Sequence, residues 1–361
     1  RIAKLPYVSL ETIYRQKQQD YRQAVDHISH GNINQGFEKL DSIEAIKEHD
    51  PIMIKDQLVK DYLQGLKDKK SVLVISPTNA QADEVTASLR QALKDNGLIG
   101  KREKSFTVFK NLHLTQAQKK DHRSYQSGQV IQLHQNITGA KRSDKLSVIS
   151  SEDDKLVAQS QPGTLVDLPY SKANDYDVYR SKEIKLSKGD LIRITKNGFD
   201  QNKKRLDNGV ILQVKGFTKD KEIIAARPKK GSRTDYTIDP NHGNLDYAYC
   251  MTSYGSQGRT VDQVLINQPA STFPATNMKQ FYVSVSRARE TVKIYTDDKD
   301  ALLYHASKSG DRQHALEVKP LDQKIIEAQR HKRKDKPIEM DIDKDRNDLD
   351  TPNFPYDEPE Y

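Results

Sequence analysis

The sequence predicts an α/β protein whose parallel sheet is interrupted by a β-rich insert. Two stretches carry the α/β part. In "SVLVISPTNAQADEVTASLRQALKDNG", the aliphatic run Val72 to Ile75 reads as a strand buried on both faces. Pro77 and Asn79 break it, Ala82, Val85, Leu89 and Leu93 then recur at helical spacing, and Gly97 stops the helix. The second stretch begins at Tyr247, with a strand in "YAYCMT", a loop, a strand in "QVLIN", a helix from about Thr276 and a strand in "TVKIYT". Between the two, from about 105 to 245, helical periodicity gives way to short strands, Gly-Asp and Asn-Gly turns and basic loops.

Residues 1–50 read as a helical lead-in. "SLETIYRQKQQDYRQAVDHISHGN" has a cap at Ser9 and a stop at Gly31, and "NQGFEKLDSIEAIKE" follows as a short second helix. Residues 51–104 and 245–310 then make up the α/β domain, with 105–244 inserted. Inside the insert "SGQVIQLHQN" (Ser127 to Asn136) matches "KGDLIRITKN" (Lys188 to Asn197), and the β-rich runs "KLSVIS" and "VILQVKGF" follow. Two small SH3-like β-barrel modules account for that repeat; one irregular sheet with chance similarity is the alternative. Residues 311–334 read as a basic helix and 335–361 as an acidic, Pro-containing disordered tail.

The 361-residue chain has net charge +8, unevenly spread. From Asp335 to Tyr361 there are ten acids and three bases, so the tail is −7 and the rest +15. A basic body favours a polyanionic partner, nucleic acid first. No apolar run approaches the ~18 residues of a membrane span, so no membrane insertion is expected. A single cysteine, Cys250, excludes a disulfide framework and a multi-cysteine zinc site. The histidines of the insert, His113, His122 and His134, lack metal-ligand spacing, and no metal site is expected. With no signal peptide, a cytoplasmic setting fits. The chain opens on Arg1 and is read as part of a longer protein.

Two segments carry chemistry. "TSYGSQGRTVD" (Thr252 to Asp262) follows a strand; its small residues let backbone approach a ligand, and Thr252, Ser253, Tyr254, Ser256, Gln257 and Arg259 supply hydroxyls, an amide and charge. "QFYVSVSRARE" (Gln280 to Glu290) places Arg287 and Arg289 beside an apolar run. Arginine is costly to bury without a partner, so an anion is implied.

These segments resemble motifs V and VI of superfamily 1 helicases, and "YRQ" (Tyr14 to Gln16) resembles motif IV. In order and spacing they resemble the second RecA-like domain of such a helicase. "FTVFKNLHLTQAQKKDHRSYQSGQVIQLHQN" and "SKGDLIRITKNGFDQNKKRLDNG" resemble conjugative relaxase-helicases of the TraI/TrwC type. Tyr254 stands where motif V usually has histidine. There is no Gly-x-x-x-x-Gly-Lys-Ser/Thr loop, since "GLIGKRE" has the wrong glycine spacing, and no acidic Walker-B strand precedes motif IV.

The resemblance implies the C-terminal motor half of an ATP-dependent DNA helicase for plasmid transfer. ATP and Mg2+ would be held mainly by a missing N-terminal RecA-like domain, so this chain alone would be inactive. Arg287 and Arg15 would reach the γ-phosphate as catalytic arginines, with Gln257, Gly258 and Gln16 near the nucleotide. Thr252, Ser253, Tyr254, Thr78 and Asn79 would contact single-stranded DNA, and Lys203, Lys204 and Arg205 would guide the strand or split the duplex. Relaxosome or coupling proteins are the implied partners. Two alternatives stand beside this: a non-catalytic helicase-derived DNA-binding or interaction module, and an exonuclease-V-alpha-like helicase outside conjugation.

Overall fold

Side chains along the central strands alternate between two separate cores, as a sheet covered on both faces requires. The computed structural model describes residues 15–160, 163–228 and 235–310. Its parallel sheet has the spatial order Ile46–Glu48, Ala288–Thr296, Val261–Asn267, Val72–Ile75, Cys250–Met251. Leu73, Ile75, Val264, Ile266, Val292 and Ile294 pack against helices Gln19–Ser29, Ile33–Ser42, Met278–Val285 and Lys299–Ala306. Val74, Leu265 and Tyr295 face the other way, against helices Pro51–Lys67 and Asn79–Asp95. A parallel sheet sandwiched by helices is what a RecA-like α/β domain requires.

The lead-in departs from its expected form. The first described helix begins at Gln19, ten residues after the expected cap at Ser9, which lies outside the described residues. The reason is a competing use of the backbone: the Lys17 amide donates to the Arg289 carbonyl at 2.8 Å, so the chain arrives as a strap on the sheet. The second helix also stops early, at Ser42, and Ile46–Glu48 becomes an edge strand parallel to Ala288–Thr296. The helix expected from about Thr276 runs Met278–Val285, capped by the Asn277 side chain, which accepts from the Gln280 amide at 3.0 Å. The expected basic helix and acidic tail lie outside the described residues.

The insert contains a six-stranded and a five-stranded antiparallel sheet. Each has its own core, one around Tyr176, Leu146 and Ile131, the other around Ile192, Leu212 and Val214. The sequence repeat falls one copy in each sheet, and its local geometry is the same in both. Gly128 and Gly189 take left-handed φ of 82° and 98°, where a side chain would be strained. Their amides donate to Val148 and Val214, whose own amides donate back to Gln129 and Asp190. Asn136 and Asn197 each accept a backbone amide with the side-chain oxygen, from Arg142 and Asn208. The strands Glu103–Asn111 and Tyr176–Ser187 form a long ribbon that reaches both cores. Leu245–Tyr247 closes the five-stranded sheet before the parallel sheet resumes at Cys250.

Charge ties the insert to the α/β part. Asp83, in helix Asn79–Asp95, accepts from Lys110 and Lys182 of the ribbon, both at 2.8 Å. One turn pair further along, Arg90 donates to both oxygens of Asp190, at 2.9 and 2.8 Å, and to Glu103 at 3.1 Å. Asp190 is wholly buried and also accepts from the Tyr249 hydroxyl and the Ser187 amide. Removing one partner of a buried pair strands the other's charge. Arg90→Ala should therefore cost about 3–5 kcal/mol in urea unfolding; a loss near zero would show that Asp190 is solvated in some other way. Burial pushes the Asp83 carboxyl upward, but the hydrogen bonds and charge of Lys110 and Lys182 outweigh it and hold it below its ordinary value. A depressed carboxylate stabilises above its unfolded pKa and loses that contribution as pH falls through the folded value. The stability deficit of Asp83→Asn should therefore be full at neutral pH and shrink below about pH 4, read by unfolding at stepped pH. A deficit independent of pH would exclude the ion pairs as its source.

Candidate functional site

Helix Met278–Val285 ends in carbonyls with no helical partner, and these are the negative pole of its dipole. Two arginines collect there. Arg287 Nε donates to the Val283 carbonyl at 2.8 Å and its Nη2 to the Ser286 hydroxyl at 2.8 Å. Arg15 comes from the strap and donates through Nη1 to the Ser286 carbonyl at 2.7 Å. Gln16, fully buried, fixes the strap by donating to the Ser286 and Ala288 carbonyls, at 3.2 and 3.1 Å. The Tyr21 hydroxyl donates to Val285. Burial and the neighbouring Arg15 both lower the Arg287 pKa, the mark of a cation short of counter-charge. Among the described residues no carboxylate lies within ion-pair distance of either arginine, and several of their ten N–H donors remain uncommitted. Arg289 differs: it is paired with Asp262 at 2.8 Å. Asp262 also accepts from the hydroxyl and amide of Ser71, and these, with Arg289, hold its carboxyl below the usual value.

The loop Thr252 to Asp262 lies against this helix. Ser253, expected to face DNA, has its hydroxyl turned inward and is 2% exposed. Gln280 Nε2 donates to Ser253 Oγ at 2.7 Å, Ser253 and Ser284 share a bond of 2.9 Å, and Ser284 Oγ donates to the Gln280 carbonyl at 2.9 Å. A closed ring of donors therefore joins the loop to the helix that presents Arg287. Ser253 Oγ thereby joins a pair already bonded to each other, since Gln280 Nε2 also reaches Ser284 Oγ at 3.3 Å. The loop's backbone is tied in as well, since the Val261 amide donates to the Arg287 carbonyl at 3.2 Å. On the outer side Tyr254 is 73% exposed, and Gln257 and Gly258 are exposed too. Gly258 has φ of 75°, which lets the chain turn into the strand.

The other expected contacts are placed apart from the arginines in sequence and role. Thr78 caps helix Asn79–Asp95, its hydroxyl accepting from the Gln81 amide at 3.3 Å, and Asn79 is exposed at that helix's first position. Lys203, Lys204 and Arg205 sit on an exposed hairpin between Gly198–Phe199 and Arg205–Leu206. Arg205 is paired with Asp207 at 2.6 Å and Lys204 donates to the Asp235 carbonyl. Phe199, 66% exposed, stands on the same hairpin. Sequence reading missed Gln280 and Ser284. Their i, i+4 spacing on an otherwise buried helix face was the available signal.

No protein-family model matches the chain. It is 20% identical over 297 residues to the multifunctional conjugation protein TraI of Escherichia coli, a match covering 78% of this chain and 16% of that protein. TraI of Escherichia coli strain K12 matches equally, at 20% over 295 residues. Among solved structures, Pif1 helicase from Candida albicans is 14% identical with a TM-score of 0.40, covering 89% of this chain and 59% of that one. Pif1 helicase from Bacteroides, solved with ADP-AlF3 and ssDNA, is 16% identical with a TM-score of 0.25, covering 90% and 56%. Scores that low carry no argument about shape. The sequence match spans about a sixth of its relatives' length and shows a chain resembling one part of TraI.

Proposed function

We propose that this chain is the C-terminal motor half of an ATP-dependent DNA helicase, acting within a longer conjugative relaxase-helicase. The observation that carries the reading is the Arg15–Arg287 pair: two guanidiniums at one helix end, with spare donors and, among the described residues, no carboxylate within ion-pair distance. Such a pair fits a strongly anionic ligand approached from outside the chain. ATP with Mg2+ would supply that charge as a γ-phosphate, held by a phosphate loop that the present sequence does not contain. Arginines placed this way stabilise charge in the phosphoryl-transfer transition state, an effect of roughly 10³–10⁵ in rate in NTPases generally.

The chain's own residues then divide the work. Arg15 and Arg287 meet the phosphate, while Gln16 and Tyr21 hold the strap and the helix end in register. Thr252 and Tyr254 face single-stranded DNA, and Asn79 serves the same role. Gln257 and Gly258 lie where the loop turns toward the strand that hydrogen-bonds to Arg287. The ring of Ser253, Ser284 and Gln280 passes movement of the arginine helix to the DNA loop. The two antiparallel sheets act as small barrel modules along the strand's path, with the Lys203–Arg205 hairpin guiding the strand.

Two outcomes test this. The isolated chain should bind oligothymidylate with an affinity that falls steeply with salt, and should turn over no ATP; appreciable turnover would overturn the two-domain reading. In the longer protein, Arg287→Ala should lower DNA-stimulated ATPase by about 10³-fold or more and leave DNA affinity within a few-fold. Equal loss of both activities would make Arg287 a folding or DNA residue instead.

A further inference from the structure

A second like-charged pair stands at the junction of the insert and the α/β part. Arg193 lies mid-strand in Leu191–Ile194 of the five-stranded sheet, with Ile211 and Asp246 opposite it on the neighbouring strands. Directly opposed residues share a sheet face, and Ile211 packs on the α/β core. Arg193 is thereby aimed at the α/β part. Its head lies against the Thr252–Asp262 loop: a Cβ built on Gly255 would come within 3.0 Å of Arg193 Nη1 and 3.5 Å of the Thr252 hydroxyl.

Arg259 reaches the same place from the loop side. Its Nη2 donates to the Gly209 carbonyl at 2.6 Å, and the Gly209 amide bonds to Ile194, the residue next to Arg193. The two guanidiniums are close enough that Arg193, after burial, lowers the Arg259 pKa. Asp246, the acid nearest to Arg193 in register, turns to its own strand and to Lys110 at 3.9 Å. Arg193 Nε is buried without an acceptor. Among the described residues neither arginine has a carboxylate within ion-pair distance.

We infer that Arg193 and Arg259 together bind one stretch of phosphodiester backbone of single-stranded DNA, so that the bound strand bridges the insert and the Thr252–Asp262 loop. The site adds a residue from the insert to a surface otherwise made by the loop alone, and it rests on the single-stranded DNA reading above. Bound phosphate supplies the missing counter-charge and an acceptor for both guanidiniums. Exposed Tyr254, beside them in the loop, offers a face on which an adjoining base stacks.

The test is the salt dependence of binding by the full 361-residue chain, measured by anisotropy of labelled oligothymidylate. Each phosphate contact contributes about 0.7 to the log–log salt slope for a single strand. The double variant Arg193→Ala, Arg259→Ala should lose about 1.4 from that slope, and Arg193→Lys, Arg259→Lys should restore most of it. Thermal unfolding of both variants checks that the fold persists. Two results overturn the inference differently. If the unaltered chain does not bind, the DNA reading falls and this site with it. If it binds, and the alanine variant keeps the same slope whether or not it is less stable, only the paired-arginine site falls.

Discussion

The carbonyls at the C-terminal end of helix Met278–Val285 are the joint on which the site depends. An isolated guanidinium pair repels itself, and burial raises that cost. Here the helix dipole's negative end and two carbonyl acceptors offset it: Val283 takes Arg287 and Ser286 takes Arg15, while Gln16 and Tyr21 bond to Ser286 and Val285 beside them. The arrangement spends backbone acceptors rather than carboxylates. That choice matters chemically. A carboxylate would neutralise the guanidinium, as Asp262 does through its bond to Arg289 Nη2, whereas carbonyls leave the positive charge for an anion.

Two arginine pairs without a carboxylate partner among the described residues thus lie at opposite ends of a short chain of contacts. The strand beginning at Val261 bonds to the Arg287 carbonyl, and Arg259 lies two residues before it. Ser253, Ser284 and Gln280 join the same loop to the arginine helix through a closed hydrogen-bond ring. Loop and helix are therefore joined by buried side-chain hydrogen bonds, so the two shift together or those bonds break. The insert is held to this apparatus by charge, at Asp83 and at Arg90–Asp190. These ties sit on helix Asn79–Asp95, whose first turn carries Thr78 and Asn79.

Much of the fold was legible because it is written in local pattern. The run Val72–Ile75 and the apolar positions from Ala82 to Leu93 appear where period and burial place them. The repeat was legible because Gly128 and Gly189 must both adopt left-handed backbone, and Asn136 and Asn197 both close turns. What was not legible depends on partners distant in sequence. The strap at Arg15–Lys17 reads as helix until Arg289 offers its carbonyl, 272 residues away from Lys17. Ser253 reads as a surface hydroxyl until Gln280 and Ser284 are beside it. Arg193 reads as the polar half of a strand alternation, and only the docking of the insert brings it to Gly255.

The central claim is that the Arg15–Arg287 end of the helix is completed by a γ-phosphate from outside the chain. Amide hydrogen exchange of the longer protein, with an ATP analogue and then with ADP, tests it most directly. The account predicts slower exchange over the strap at 15–17 and over 286–289 with the ATP analogue than with ADP, and no such difference when Arg15 is replaced by alanine. Equal protection with both nucleotides would contradict it.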